Sequence, residues 1–187
     1  MRQTDGVPVP LDAATVRRLS GAAATYDEGL RRGATASRDR DLREQRALGT
    51  GAAAFLAVSD ALMSWRMHEL AGFGVRASDA VVVVGAVVVL TTRFGPLAIE
   101  APCRVVRVVE EERRRGFAYV TLPGHPVAGE EEFLVEQSGS GDVTATVSAV
   151  SHPATPLARL GTPVTRREQR RIAARYLDAL AGVARQT

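Results

Sequence analysis

Between Ala80 and Ser151 the apolar residues fall into short runs separated by turn signals, and beyond Pro163 their spacing becomes helical. That change of period constrains the fold more than any other feature of the chain. The runs are Val81–Val84, Val87–Thr92, Leu97–Val109 with a break near Pro102, Gly116–Leu122, Glu131–Gln137 and Val143–Val150. The connections Glu110–Arg115 and Ser138–Asp142 are too short for crossovers, so the strands they join should be antiparallel. From Pro163 to Ala184, the residues Ile172, Ala173, Tyr176, Leu177, Leu180 and Val183 form one stripe, with Thr162 as the N-cap and Pro163 as the first helical residue. A helix of this size is about 30 Å long, enough to cover the apolar face of a sheet. A straight rod laid in a curved sheet does not fill the space between them. The expected fold is therefore α+β: a helix-grip-like curved antiparallel sheet of five to seven strands packed on a long C-terminal helix, with N-terminal helices. An α+β sandwich with a filled core is the alternative.

Upstream, residues 1–10 read as a loose arm and residues 11–187 as a single domain. A short helix is expected from Leu11 to about Ala24, capped by Asp12. Tyr26–Leu48 reads as irregular and exposed, with one short strand near Ala23–Asp27. Gly51–Ala71 reads as one continuous helix ended by Gly72 and Gly74. On its wheel Ser59 and Arg66 fall inside the apolar stripe, and His68 falls opposite. The run Ala80–Leu90 shows no alternation, which suggests a strand buried on both faces, its second face covered by the N-terminal helices or by a homodimer partner.

Composition narrows the function classes. The chain has 187 residues, 45% hydrophobic and 24% charged, which suits a globular domain. The longest apolar run is too short to cross a bilayer, and no basic cluster followed by an apolar stretch marks a secretion signal. With the single cysteine Cys103, a cytoplasmic location is expected. All 24 basic residues are arginine, a bias shared with Ala, Gly and Val. Aromatics do not interleave with the arginine clusters, so no nucleic-acid partner is expected. The three histidines are not spaced as metal ligands, and no P-loop or dinucleotide fingerprint occurs. Neither a metal nor a cofactor is expected.

Residues 104–133 carry a spaced series: Arg104-Val105-Val106, Gly116-Phe117-Ala118-Tyr119, Thr121-Leu122, Gly124-His125-Pro126, Gly129-Glu130-Glu131 and Phe133. Flanking it are Trp65, Ala149-Val150-Ser151 with Pro153, Arg159-Leu160, Gln169 and Tyr176-Leu177. This pattern, over residues 22–181, resembles the signature of a widespread uncharacterised protein family, a domain of unknown function. The resemblance implies a single domain and no particular reaction.

The candidate site comes from strand alternation. Glu131 shares a face with Phe133 and Val135, so one carboxylate looks into the apolar interior while Glu130 and Glu132 point away. Such a group needs a partner, or its pKa rises; it is either a structural hydrogen-bonding group or a ligand anchor and general acid/base. His125, held extended before Pro126, either stiffens its loop or acts at the cavity mouth. Tyr119 and Thr121 share a face with Phe117, so both hydroxyls enter the pocket or both leave it. Gln169 lies among Ile172, Ala173 and Tyr176 and must find a partner on a strand or a ligand. Arg66 is its counterpart in the first helix, and an ion pair with Glu131 is one arrangement open to it. The candidate catalytic residues are Glu131 and His125. The candidate ligand contacts are Trp65, Arg66, Phe117, Tyr119, Thr121, Phe133, Gln169 and Tyr176. The leading expectation is a small hydrophobic molecule bound between sheet and terminal helix. The alternatives are a cofactor-free isomerase, cyclase or hydratase using Glu131 or His125, and an interaction or structural module with a filled core.

Overall fold

The computed structural model describes residues 7–25, 42–94, 97–153 and 162–187. Its elements, in chain order, are β1 (Val9–Pro10), α1 (Ala13–Ser20), β2 (Leu42–Thr50), α2 (Ala52–Met63), α3 (Arg66–Leu70), β3 (Gly74–Ala77), β4 (Val87–Phe94), β5 (Leu97–Glu111), β6 (Arg114–Thr121), β7 (Val127–Gln137), β8 (Asp142–Pro153) and α4 (Thr162–Ala184). The strands form one eight-stranded sheet in the order β1-β3-β4-β5-β6-β7-β8-β2. Every neighbouring pair is antiparallel except β1 with β3. The α+β helix-grip arrangement is as expected, but the sheet has eight strands rather than five to seven, because β1, β2 and β3 join the five expected runs that do form strands.

Strand β5 crosses Pro102 without interruption, and its register slips between Val105 and Arg107. A bulge of this kind bends a strand and deepens the curl of a sheet. On the concave side α4 buries Ala173, Tyr176, Leu177, Leu180 and Ala181, and packs against α2, α3, β2 and β8. Asp178 pairs with Arg46 of β2, and Arg175 donates to the Ala71 carbonyl at the end of α3 while lying 4.9 Å over the Phe73 ring. These contacts fasten α4 to the sheet edge and to the shorter helices.

The valine run is buried on both faces only in its second half. Val88 and Leu90 join the main core, while Val87 and Val89 meet Leu11, Leu19 and Leu122 on the convex side, under α1. Burying Leu19 there contributes about 2 kcal/mol. Asp12 accepts from the Ala14 and Thr15 amides at 3.0 and 2.9 Å, starting α1. Arg104 donates to the Ser20 and Ala22 carbonyls at 3.0 and 2.8 Å, closing it.

Four expectations are corrected. Val81–Val84 is a loop: the Val82 amide bonds to Met63 at the end of α2 and the Ala86 amide to Val83, so the stretch enters no ladder. Leu42–Leu48 is no irregular segment but lies in β2, the edge strand paired with β8; residues 26–41 of that stretch lie outside the described residues. Thr25 bonds to Thr121 without forming a strand, and Tyr26 and Asp27 also lie outside the described residues. The helix expected over Gly51–Ala71 is two helices, because Trp65 sits between them at φ 65, a left-handed conformation that stops α2. A wheel drawn through that break misplaces the residues beyond it: Arg66 is exposed, whereas His68 is wholly buried.

Candidate functional site

Strand alternation in β7 places Glu131 on the concave face with Phe133 and Val135, and the register sets Glu131 directly opposite Tyr119 of β6. Two glycines of the sequence signature make that register possible. A Cβ on Gly116 would meet the Phe133 carbonyl oxygen at 2.2 Å, and one on Gly129 would meet that of Val150 at 2.3 Å. Only glycine permits these strand approaches.

The Tyr119 hydroxyl donates to Glu131 Oε2 at 2.6 Å. Above this pair a cavity of about 620 Å³ opens between α4 and the sheet. Its apolar walls include Leu42, Phe73, Leu90, Ile99, Ala149 and Ile172, and Tyr176 closes it from α4. The volume is many times that of a few waters, so the core is not filled there. Arg93, Pro126 and Arg171 line the cavity and also reach solvent, marking its mouth.

Glu131 is half-buried because it lines the cavity, yet protein surrounds it closely enough to desolvate the carboxyl. Burial pushes its pKa up to about 7, against the opposing pull of the Tyr119 hydrogen bond. Burial first and the Glu131 charge second hold the Tyr119, Tyr176 and Cys103 protons on, each pKa well above its usual range. Among the described residues no cation pairs with Glu131. Such a carboxyl near neutrality can accept or release a proton, or fix a ligand's polar end.

His125 lines the cavity with Nδ1 held 2.8 Å from the Val127 carbonyl oxygen and 3.1 Å from the Val127 amide nitrogen. Burial lowers its pKa to about 4, with the Val127 carbonyl acting the other way, so the ring is neutral at pH 7. Thr121 also lines the cavity, but its hydroxyl is engaged by the Gly129 amide at 2.9 Å and by Thr25. Gln169 donates to the Ser151 hydroxyl at 2.7 Å, which gives the amide nitrogen a partner on a strand side chain.

Glu131, His125, Tyr119, Thr121, Gln169 and Tyr176 thus converge on one cavity. Phe117, Phe133 and Trp65 do not line it. They pack beneath it around His68, whose ring lies 5.0 to 6.2 Å from those of Trp65, Phe117, Tyr119, Phe133 and Tyr176. The Trp65 indole donates to the Asp79 carbonyl at 3.1 Å. Arg66 points away from the cavity lining and makes no pair with Glu131, because the Trp65 break turns it outward. Sequence reasoning missed Arg93, Thr92 and Arg175, which reach the cavity from the end of β4 and from α4. Glu130 and Glu132 lie on the convex face, where Arg107 pairs with both.

Residues 25–179 match the domain of unknown function DUF1990. A UPF0548 protein of Deinococcus radiodurans is 41% identical over 108 residues, 54% of each chain. A UPF0548 protein of Arabidopsis thaliana is 35% identical over 85 residues, 42% of each. The chain spans about half the length of these curated relatives or less. Among solved structures, the hypothetical protein jhp0584 of Helicobacter pylori superposes with a TM-score of 0.63 at 13% identity, over 82% of this chain and 93% of that one. Norcoclaurine synthase of Thalictrum flavum, solved with dopamine and hydroxybenzaldehyde, gives 0.57 at 14% identity, over 78% and 86%. At such identities the likeness is one of fold. No helix among the described residues is long and apolar enough to cross a membrane.

Proposed function

This chain belongs to the DUF1990 family, and from that premise we propose that it binds one small, mostly apolar molecule between α4 and the concave face of the sheet, anchored at its polar end by Glu131. The observation that carries this reading is a cavity of about 620 Å³ whose apolar walls end on a carboxyl–phenol pair. Pockets for small molecules combine these features: a largely apolar lining and a few fixed polar groups. His125 and Gln169, each already held by a hydrogen bond, would contact the ligand without reorganising.

The test uses the uncharged fluorophore N-phenyl-1-naphthylamine. Binding should raise its emission in the unaltered protein, and either Ala149→Phe or Ala101→Trp, both at cavity walls, should abolish the rise while the circular dichroism spectrum stays unchanged. No emission rise, or equal emission in both folded variants, overturns the reading. A second reading is favoured by the position of the Glu131 pKa near 7, where a carboxyl serves as acid and base in turn. On that reading the cavity hosts an isomerisation, cyclisation or hydration of a hydrophobic metabolite, and Glu131→Gln stops turnover.

A further inference from the structure

We infer that the ligand's polar end is a basic amine, which enters the cavity as an ammonium ion and pairs with the Glu131 carboxylate. This rests on the cavity reading above and deepens it by assigning a chemical class.

The argument starts from what Glu131 lacks. Tyr119 donates to Oε2. Among the described residues that is the carboxyl's one hydrogen bond, and Oε1 stays accessible, so it faces the cavity rather than a protein donor. The titratable groups that act with Glu131 are Tyr119 on β6, Cys103 on β5 and Tyr176 on α4. All three are neutral when protonated, and none supplies positive charge. His125, from the β6–β7 turn, is also neutral at pH 7. The arginines that reach the cavity are committed or peripheral. Arg175 is bound to the Ala71 carbonyl and the Phe73 ring, Arg171 lies 3.8 Å from Glu168, and Arg93 is exposed at the mouth.

A carboxylate in an apolar enclosure, with one donor and no counter-ion, is a poor host for an anion and an adequate one for a neutral donor. For a cation it is the matching partner, because opposite charges attract more strongly beside a desolvated carboxylate than in bulk water. An alcohol would supply a single hydrogen bond, whereas an ammonium supplies a hydrogen bond and the missing charge. The apolar walls then take the rest of the molecule.

Proton linkage gives an independent signature. In the free protein the Glu131 carboxyl titrates near 7, so below that pH an amine must displace a proton in order to bind. Amine affinity should therefore fall about tenfold between pH 8 and pH 6, while affinity for a neutral probe should not.

The experiment is calorimetry with three probes of one shape: 1-(aminomethyl)naphthalene, 1-naphthalenemethanol and 1-naphthoate. The amine should bind at least tenfold more tightly than the alcohol at pH 8, lose that margin at pH 6, and fall to the level of the alcohol in Glu131→Gln. Equal binding of amine and alcohol, tighter binding of the carboxylate, or an amine preference that survives Glu131→Gln overturns the assignment and leaves the cavity reading standing. If none of the three binds and N-phenyl-1-naphthylamine also gives no signal, the cavity reading fails and this inference fails with it.

Discussion

Replacing His68 by phenylalanine should make the protein more resistant to acid. His68 is wholly buried, and neither ring nitrogen has a hydrogen-bond partner. Burial among aromatic rings drives its pKa from the usual 6.5 down to about 3. The folded value lies below the unfolded one, so the unfolded chain binds the proton first as pH falls. Stability is therefore full above pH 6.5 and declines on acidification toward pH 3, by about 1.4 kcal/mol per pH unit. Between pH 7 and pH 4.5 this one residue should remove about 3 kcal/mol, a large share of a typical domain's stability. Phenylalanine cannot titrate, and it also removes two unpaired polar atoms, which should add about 1 kcal/mol at pH 7. Urea unfolding of both proteins at the two pH values measures the effect. His125 and Glu131 titrate in the same window but are common to both proteins, so they cancel in the comparison. Equal acid losses in wild type and His68→Phe would refute the reasoning. Should the larger ring disturb folding, His68→Leu gives the same comparison.

Other sites yield three more expected outcomes. The folded pKa of Glu131 is raised above its ordinary value of 4.5, so its contribution is present below pH 4.5 and is lost as pH rises toward 7; Glu131→Gln should be more stable than wild type at pH 8, on the order of 3 kcal/mol, with no advantage at pH 4, as read by denaturant midpoints. Gly129→Ala must force the Val150 carbonyl away from a Cβ that would sit 2.3 Å from it, at a cost of about 2 kcal/mol; a melting temperature within a degree of wild type would contradict the strand geometry. Arg104→Gln removes the donor that closes α1, so hydrogen exchange should quicken in residues 13–20 while the protection of β6 and β7 stays unchanged.

Much of the architecture could be read from periodicity, since a change from period two to period 3.6 is a local signal that burial amplifies. The inward direction of Glu131 came from alternation with Phe133 and Val135, and the opposing Tyr119 required only the register. The failures are non-local or strained. Nothing in the residues around Leu42 announces an edge strand, because its partner β8 lies about a hundred positions further on. Trp65 adopts a conformation that local preference disfavours, and the wheel carried through it exchanged the fates of Arg66 and His68. Phe117 and Phe133 share the face of Glu131, yet face alone does not tell which depth of a curved sheet holds a void. That depends on where α4 crosses.

The strand order has a consequence for how the chain acquires its structure. β2 pairs with β8, so an element formed early in sequence cannot find its neighbour until the last strand exists. Such long-range closure is slow, and during synthesis it leaves the Leu42–Thr50 edge without a ladder partner while most of the sheet assembles. The chamber has no roof until α4 has docked, so a molecule held there would favour the docked arrangement of α4 over any in which the helix has left the sheet.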